Sequence, residues 1–161
     1  MLPRYKNILV TTDFSANSAL AFRHAVMLAR HNDATIHMLH VIPEIDSSMR
    51  SYISAAMGDE KGLDHFEKLN DSQARQKLKD ELDRFAGEEL TDHPEDLERF
   101  AGAVVVHGDT VSKILETAEG VDSDVIVMGT HGKGAIEHAF LGSVAEKVLQ
   151  RSQRPVFVIP L

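Results

Sequence analysis

Asp124-Val125-Ile126-Val127-Met128-Gly129-Thr130-His131-Gly132 is the stretch that decides the fold. Asp124 to Met128 reads as a strand whose apolar run is unbroken, as expected when helices cover both faces of a parallel sheet. It runs directly into Gly129 and Gly132. After nine intervening residues comes Gly142-Ser143-Val144, where Val144, Ala145, Val148 and Leu149 take up helical spacing. Glycines let backbone amides approach an anion closely, and a helix N-terminus adds unpaired N–H groups and a favourable dipole. Tight turns with Ser143 as an ordinary cap would use the same residues. Strand, glycine-bearing segment and capped helix together at one sheet edge favour phosphate binding.

Four further strands fit around this one. Asn7 to Thr12 is apolar and β-branched, and Asp13 and Ser15 then offer helix caps. Ala19, Phe22, Ala25, Val26 and Ala29 follow at helical spacing, ending at Asn32-Asp33. Thr35 to Ile42 is the second strand, stopped by Pro43. A long irregular segment, Glu44 to Asp59, precedes a helix expected over Lys61 to Leu90. Phe100 to His107 is the third strand, followed by a helix bearing Val111, Ile114, Leu115 and Ala118. Pro155 to Ile159 is the fifth. Strict β-α alternation means an α/β fold: an open five-stranded parallel sheet with helices on both faces. The 161 residues make one expected domain, 1–161. Ligands of such sheets bind beyond the carboxyl ends of the strands. The fifth strand lies at a sheet edge, where an apolar strand invites a second copy and a homodimer.

Composition narrows the functional classes. No cysteine is present, which excludes disulfides, zinc-thiolate sites and thiol nucleophiles. The net charge of −8 argues against nucleic-acid binding through a basic surface. Residues 59–99 hold 14 acidic and 7 basic side chains, nearly all of that excess, and read as a solvated helix face. No run approaches the roughly 20 apolar residues of a membrane span, and no signal-peptide core follows Met1. A cytoplasmic protein is expected.

Familiar catalytic patterns fail. A Walker A loop from Gly129 meets Ala135 and Ile136 where Lys and Ser/Thr are required. A dinucleotide fingerprint from Gly132 meets Glu137 at its third glycine. There is no nucleophile elbow. Of the nine histidines, His37 and His40 stand on opposite faces of a strand, and His131 stands between the first two glycines of the motif. No catalytic residue and no protein metal site are assigned. Asp13, directly after the first strand, suits either a ribose hydroxyl or a helix cap, and the glycine motif favours the ribose.

Gly-x-x-Gly-x9-Gly-Ser, with Thr12-Asp13-Phe14-Ser15 after the first strand, resembles the ATP-binding branch of the universal stress protein family. The resemblance spans the chain. It implies a Rossmann-like sheet of the adenine nucleotide alpha hydrolase type, homodimers through the C-terminal strand, and ATP between the first and fourth strands. Thr12 and Asp13 would then meet adenosine, and the backbone of Val41 would read the adenine edge. Met128 and Gly129 would line the ribose and phosphate side. His131, Gly132, Lys133, Gly142, Ser143 and Val144 would hold phosphates, with Mg2+ or Mn2+ carried by the phosphates themselves. The implied role is a nucleotide-dependent regulatory module with an unknown protein partner. The alternative is a slow ATPase or nucleotidyl-handling enzyme. Thr11 departs from the proline that many ATP-binding members carry there.

Overall fold

Ile8, Leu9 and Val10 are fully buried, and the strand they form is the centre of the sheet in a computed structural model of the chain. The structure describes residues 1–44, 51, 55, 72–130 and 141–160. Five strands, β1 (Asn7–Thr11), β2 (Thr35–Pro43), β3 (Phe100–Gly108), β4 (Val125–Gly129) and β5 (Val156–Ile159), pair in the order β3-β2-β1-β4-β5. All four pairings are parallel, as the alternating pattern requires. Helices α1 (Ala16–Asn32), α2 (Ser72–Glu89), α3 (Thr110–Gly120) and α4 (Ser143–Arg151) connect them, with a 3-10 turn at Pro94–Arg99.

The strands divide their side chains between two cores. Ile8, Val10, Ile36, Met38, Val125 and Val127 face α1 and α2, meeting Phe22, Ala25, Leu82 and Ala86. Leu9, Leu39, Ile126 and Met128 face α3 and α4, meeting Val111, Ile114, Ala145 and Val148. Each large side chain so buried stabilises the fold by about 1.5–3 kcal/mol relative to exposure. Val156 and Val158 pack with the second core and Ile159 with the first, which is the expected alternation along β5.

Boundaries differ from the expectation in small, explicable ways. β1 ends at Thr11, and Ser15 caps α1, its side chain accepting the Ser18 N–H. Asp33 closes α1 in the left-handed conformation at φ 52°. The helix expected from Lys61 is described from Ser72 onward. The 3-10 turn was not expected, since Pro94 at its start signals a helix too short for apolar periodicity to reveal. Among the described residues, no helix is long and apolar enough to cross a membrane.

Candidate functional site

The strand order reverses between β1 and β4, and that switch opens a crevice at their carboxyl ends. Its first wall is the turn from β1 into α1. The Thr12 N–H donates to Leu39 O at 2.9 Å. The Thr12 hydroxyl donates to Ser18 Oγ at 2.9 Å and accepts from the Phe14 N–H at 3.1 Å. His40 Nδ1 lies 2.8 Å from Thr12 O, so that ring nitrogen must carry the proton. Thr12 is thus engaged inside the protein and shapes the turn. Asp13 Oδ1 accepts from the Ser15 N–H at 2.9 Å, folding the chain into an Asx turn at the crevice. Between them Phe14 adopts φ 65°, rare for a residue with a side chain, and its ring lies 5.0 Å from that of His40.

The second wall is the end of β2. The last β1–β2 pair is Thr11 with Leu39, yet β2 continues to Pro43. In a parallel strand both backbone groups of one residue point to the same neighbour. Thr35 N–H and Leu39 O both bond to the β1 side, so the N–H and C=O of Val41 point that way too, past the end of β1. The Val41 side chain packs against the second core, to which Met128, 4 % exposed, belongs.

The third wall runs from β4 to α4. Thr130 N–H donates to Ile159 O at 3.1 Å, and Gly142 N–H donates to Thr130 O at 2.7 Å. These bonds fasten both ends of the glycine-bearing segment to the sheet. Gly142 is the N-cap of α4, at φ −67° and ψ 153° with no side-chain cap bond, so Ser143 is the first helical residue. This corrects the expectation that Ser143 caps: Gly142 holds the cap position, and Ser143 is exposed in the first turn. The first intrahelical bond is Glu146 N–H to Gly142 O at 3.0 Å, so the amides of Ser143, Val144 and Ala145 precede it. Glu146, exposed in this first turn, weakens the local positive potential. Gly129 is a glycine for space: a Cβ there would stand 2.4 Å from Asn17 Oδ1. His131, Gly132 and Lys133 lie outside the described residues.

The crevice therefore brings together Thr12, Asp13, Val41, Met128, Gly129, Gly142, Ser143 and Val144. The sequence reading missed His40, Phe14 and Asn17. His40 had been set aside as a half-buried strand residue, and Asn17 carries no signal beyond its place in the first turn of α1. Burial pushes the His37 imidazole below its usual value, so it is neutral at pH 7. Among the described residues, the grouping His93, Glu95 and Asp96 could offer metal ligands, but it stands beside the 3-10 turn at the far end of the sheet, where Arg30 already binds Asp96.

A family model described as the universal stress protein family matches residues 4–160. Universal stress protein MJ0577 of Methanocaldococcus jannaschii is 30% identical over 158 residues, covering 96% of this chain and 94% of that one. Universal stress protein MJ0531 of the same organism is 31% identical over 156 residues, covering 96% and 82%. The solved structure of MJ0577 superposes with a TM-score of 0.72 at 28% identity, covering 99% of this chain and 98% of that one. A universal stress protein solved in complex with cAMP shares the fold, with a TM-score of 0.60 at 23% identity and 98% of each chain covered.

Proposed function

The chain belongs to the universal stress protein family, and we propose that it is a nucleotide-dependent regulatory module that binds ATP in the β1–β4 crevice. The observation that carries this reading is the joining of Thr130 to Gly142, which sets the first-turn amides of α4 at the sheet's carboxyl edge. A family member holding cAMP, itself an adenine nucleotide, supports the ligand class.

Each part of the nucleotide has a partner. The Val41 N–H would donate to adenine N1 and its C=O accept from the 6-amino group. Guanine presents the opposite pattern at that edge, an N1–H and a carbonyl oxygen, and is refused. Asp13 would accept from a ribose hydroxyl, and Met128 would pack against the sugar side. The amides of Ser143 and Val144 and the Ser143 hydroxyl would donate to phosphate oxygens, with Gly132, His131 and Lys133 joining from the motif. A divalent ion would ride on the phosphates and water. Thr12 would serve by holding the turn.

Turnover should be slow in this reading. Fast phosphoryl transfer needs a positioned metal, countercharge and an oriented water. The sequence offers Glu137 as the nearest carboxylate to the motif, and no sequence pattern marks a water-positioning residue. We further propose a cytoplasmic homodimer. β5 has one neighbour in the sheet and a half-exposed Phe157, so antiparallel pairing of two copies would satisfy both edges.

The test is mass spectrometry of the purified protein for carried-over nucleotide, followed by calorimetry. ATP should bind, with GTP weaker by roughly 10–100-fold because both hydrogen bonds at Val41 are lost. Equal affinity for ATP and GTP, or no adenine nucleotide bound at all, overturns the reading.

A further inference from the structure

Asn17 is 4 % exposed, in the first turn of α1, two residues after the cap that follows Asp13. Its Nδ2 donates to Ile159 O at 3.2 Å, the same carbonyl that accepts the Thr130 N–H at 3.1 Å. Its carboxamide also fills the space that a side chain at Gly129 would need, since a Cβ there would lie 2.6 Å from Asn17 Cγ. One side chain thus touches α1, the end of β4 and the end of β5. Through Thr130 the contact continues to Gly142, whose N–H donates to Thr130 O.

We infer that Asn17 is a positioning residue: it sets where Gly129 and Thr130 leave the sheet, and through Thr130 where the phosphate-facing N-terminus of α4 begins. The inference rests on the nucleotide reading above. The donors it places face phosphate. Adenosine is read on the other side of the crevice, by Asp13 and Val41, whose backbone bonds to β1 and β2 do not pass through Asn17. Loss of Asn17 should therefore change the preference for phosphates rather than affinity in general. Gly129 and Asn17 should also be coupled, because each occupies space the other leaves.

The experiment is calorimetry with ATP and with adenosine on the full chain, alongside thermal melting. Asn17→Ala should weaken ATP by about tenfold while leaving adenosine within about twofold, the loss expected for one hydrogen-bonded support. Gly129→Ala should lower the melting temperature by roughly 5–10 °C through overpacking against Asn17. Adding Asn17→Ala to Gly129→Ala should return part of that temperature, because the new methyl then has room. In that double variant the ATP-to-adenosine ratio should stay low. If Asn17→Ala does not fold, Asn17→Ser serves, since it stays polar but is too short to reach Ile159. Equal losses for ATP and adenosine would make Asn17 a structural residue and overturn the inference. So would a Gly129→Ala penalty that is the same with and without Asn17. A wild type that binds ATP with an unaltered ratio in the variants defeats this inference alone. A wild type that binds no adenine nucleotide defeats the functional reading and this inference with it.

Discussion

At the amino-terminal edge of the sheet, side chains join elements far apart in the chain. Asp124 Oδ2 accepts the N–H groups of Lys6 and Asn7 at 2.6 and 2.8 Å. Lys6 Nζ reaches the last carbonyls of α1, Arg99 Nη1 bonds Asp33 at 2.8 Å, and Arg154 Nε bonds Ser123 O at 2.6 Å. At the carboxyl edge the Thr12–Ser18 turn combines bonds within itself with ties to Leu39, His40 and Ile159, and α4 opens with three amides ahead of its first internal bond. Long-range bonds resist unfolding because breaking them separates whole elements. Local bonds and unspent donors shape a surface and can be altered with little cost to the fold. One end of the sheet therefore carries more of the long-range fastening, and the other carries the proposed recognition site.

The largest effect that tests this division is at the stable end. Asp124→Ala removes two charge-assisted hydrogen bonds to backbone amides and should lower unfolding free energy by roughly 2–4 kcal/mol. ATP affinity of the folded protein should not change. Urea unfolding and calorimetry on one preparation measure both, and a parallel fall in affinity would break the division. At the recognition end, Ser143→Ala should behave oppositely. It would remove the proposed hydroxyl bond to a charged phosphate, worth about 1.5–3 kcal/mol or 10- to 100-fold in ATP affinity. Adenosine binding should be untouched. Because Gly142 rather than Ser143 is the N-cap, stability should stay within about 0.5 kcal/mol of wild type. A helix-destabilising effect would show that the hydroxyl caps after all.

The same division explains what was legible in the sequence. The sheet could be read because its strands are buried on both faces and therefore spell continuous apolar runs, as at Val125 to Met128. Parallel pairing followed from alternation, while the neighbouring of β1 and β4 was implied by the family resemblance. Asp13 and Gly142-Ser143 could be located because turn and cap chemistry restricts residue type locally. Asn17 and His40 could not, since each acts through a partner distant in sequence: Ile159 for Asn17, Thr12 for His40. No local pattern encodes such a pair. Gly129 was legible as a glycine, but its reason was not. The sequence suggests a phosphate's approach, whereas the structure shows the Asn17 carboxamide in the space beside it. The clamp at Asp124 was equally silent: it was read as the first residue of the strand, and nothing local marks the distant amides it binds.

Asp13→Ala should give a smaller effect that blurs the division slightly. The carboxylate holds the Ser15 N–H as well as its assigned ribose. ATP, AMP and adenosine should all weaken by about tenfold, with a stability loss of roughly 0.5–1.5 kcal/mol. Calorimetry with the three ligands separates this from Ser143→Ala, whose effect grows with phosphate count. A loss confined to ATP would move Asp13 from the ribose to the phosphates.

Acid should reveal the stable end most gently of all. A hydrogen bond from Arg30 holds the Asp96 carboxyl below its usual value of 3.8, and Arg99 does the same for Asp33. A carboxyl lowered on folding contributes stability that is complete above its unfolded value and is lost as pH falls through its folded value. Both contributions are therefore full at neutral pH and fade below about pH 4. Asp109, which caps α3 by accepting the Ser112 N–H, is lowered too, so acid also loosens one helix start at the carboxyl edge. The two cases are separable by substitution. Asparagine caps a helix nearly as well as aspartate and does not titrate, so Asp109→Asn should melt close to wild type at pH 7 and lose less than wild type in acid. Asp96→Asn cannot keep its ionic partner. It should melt below wild type at pH 7 and approach it as pH falls below 3.8, where wild-type Asp96 begins to take up its own proton. Melting curves across that range decide the matter. A gap between Asp96→Asn and wild type that stays constant down to acid would mean that packing of Asp96, which is 3 % exposed, and not its charge, ties the 3-10 turn to α1.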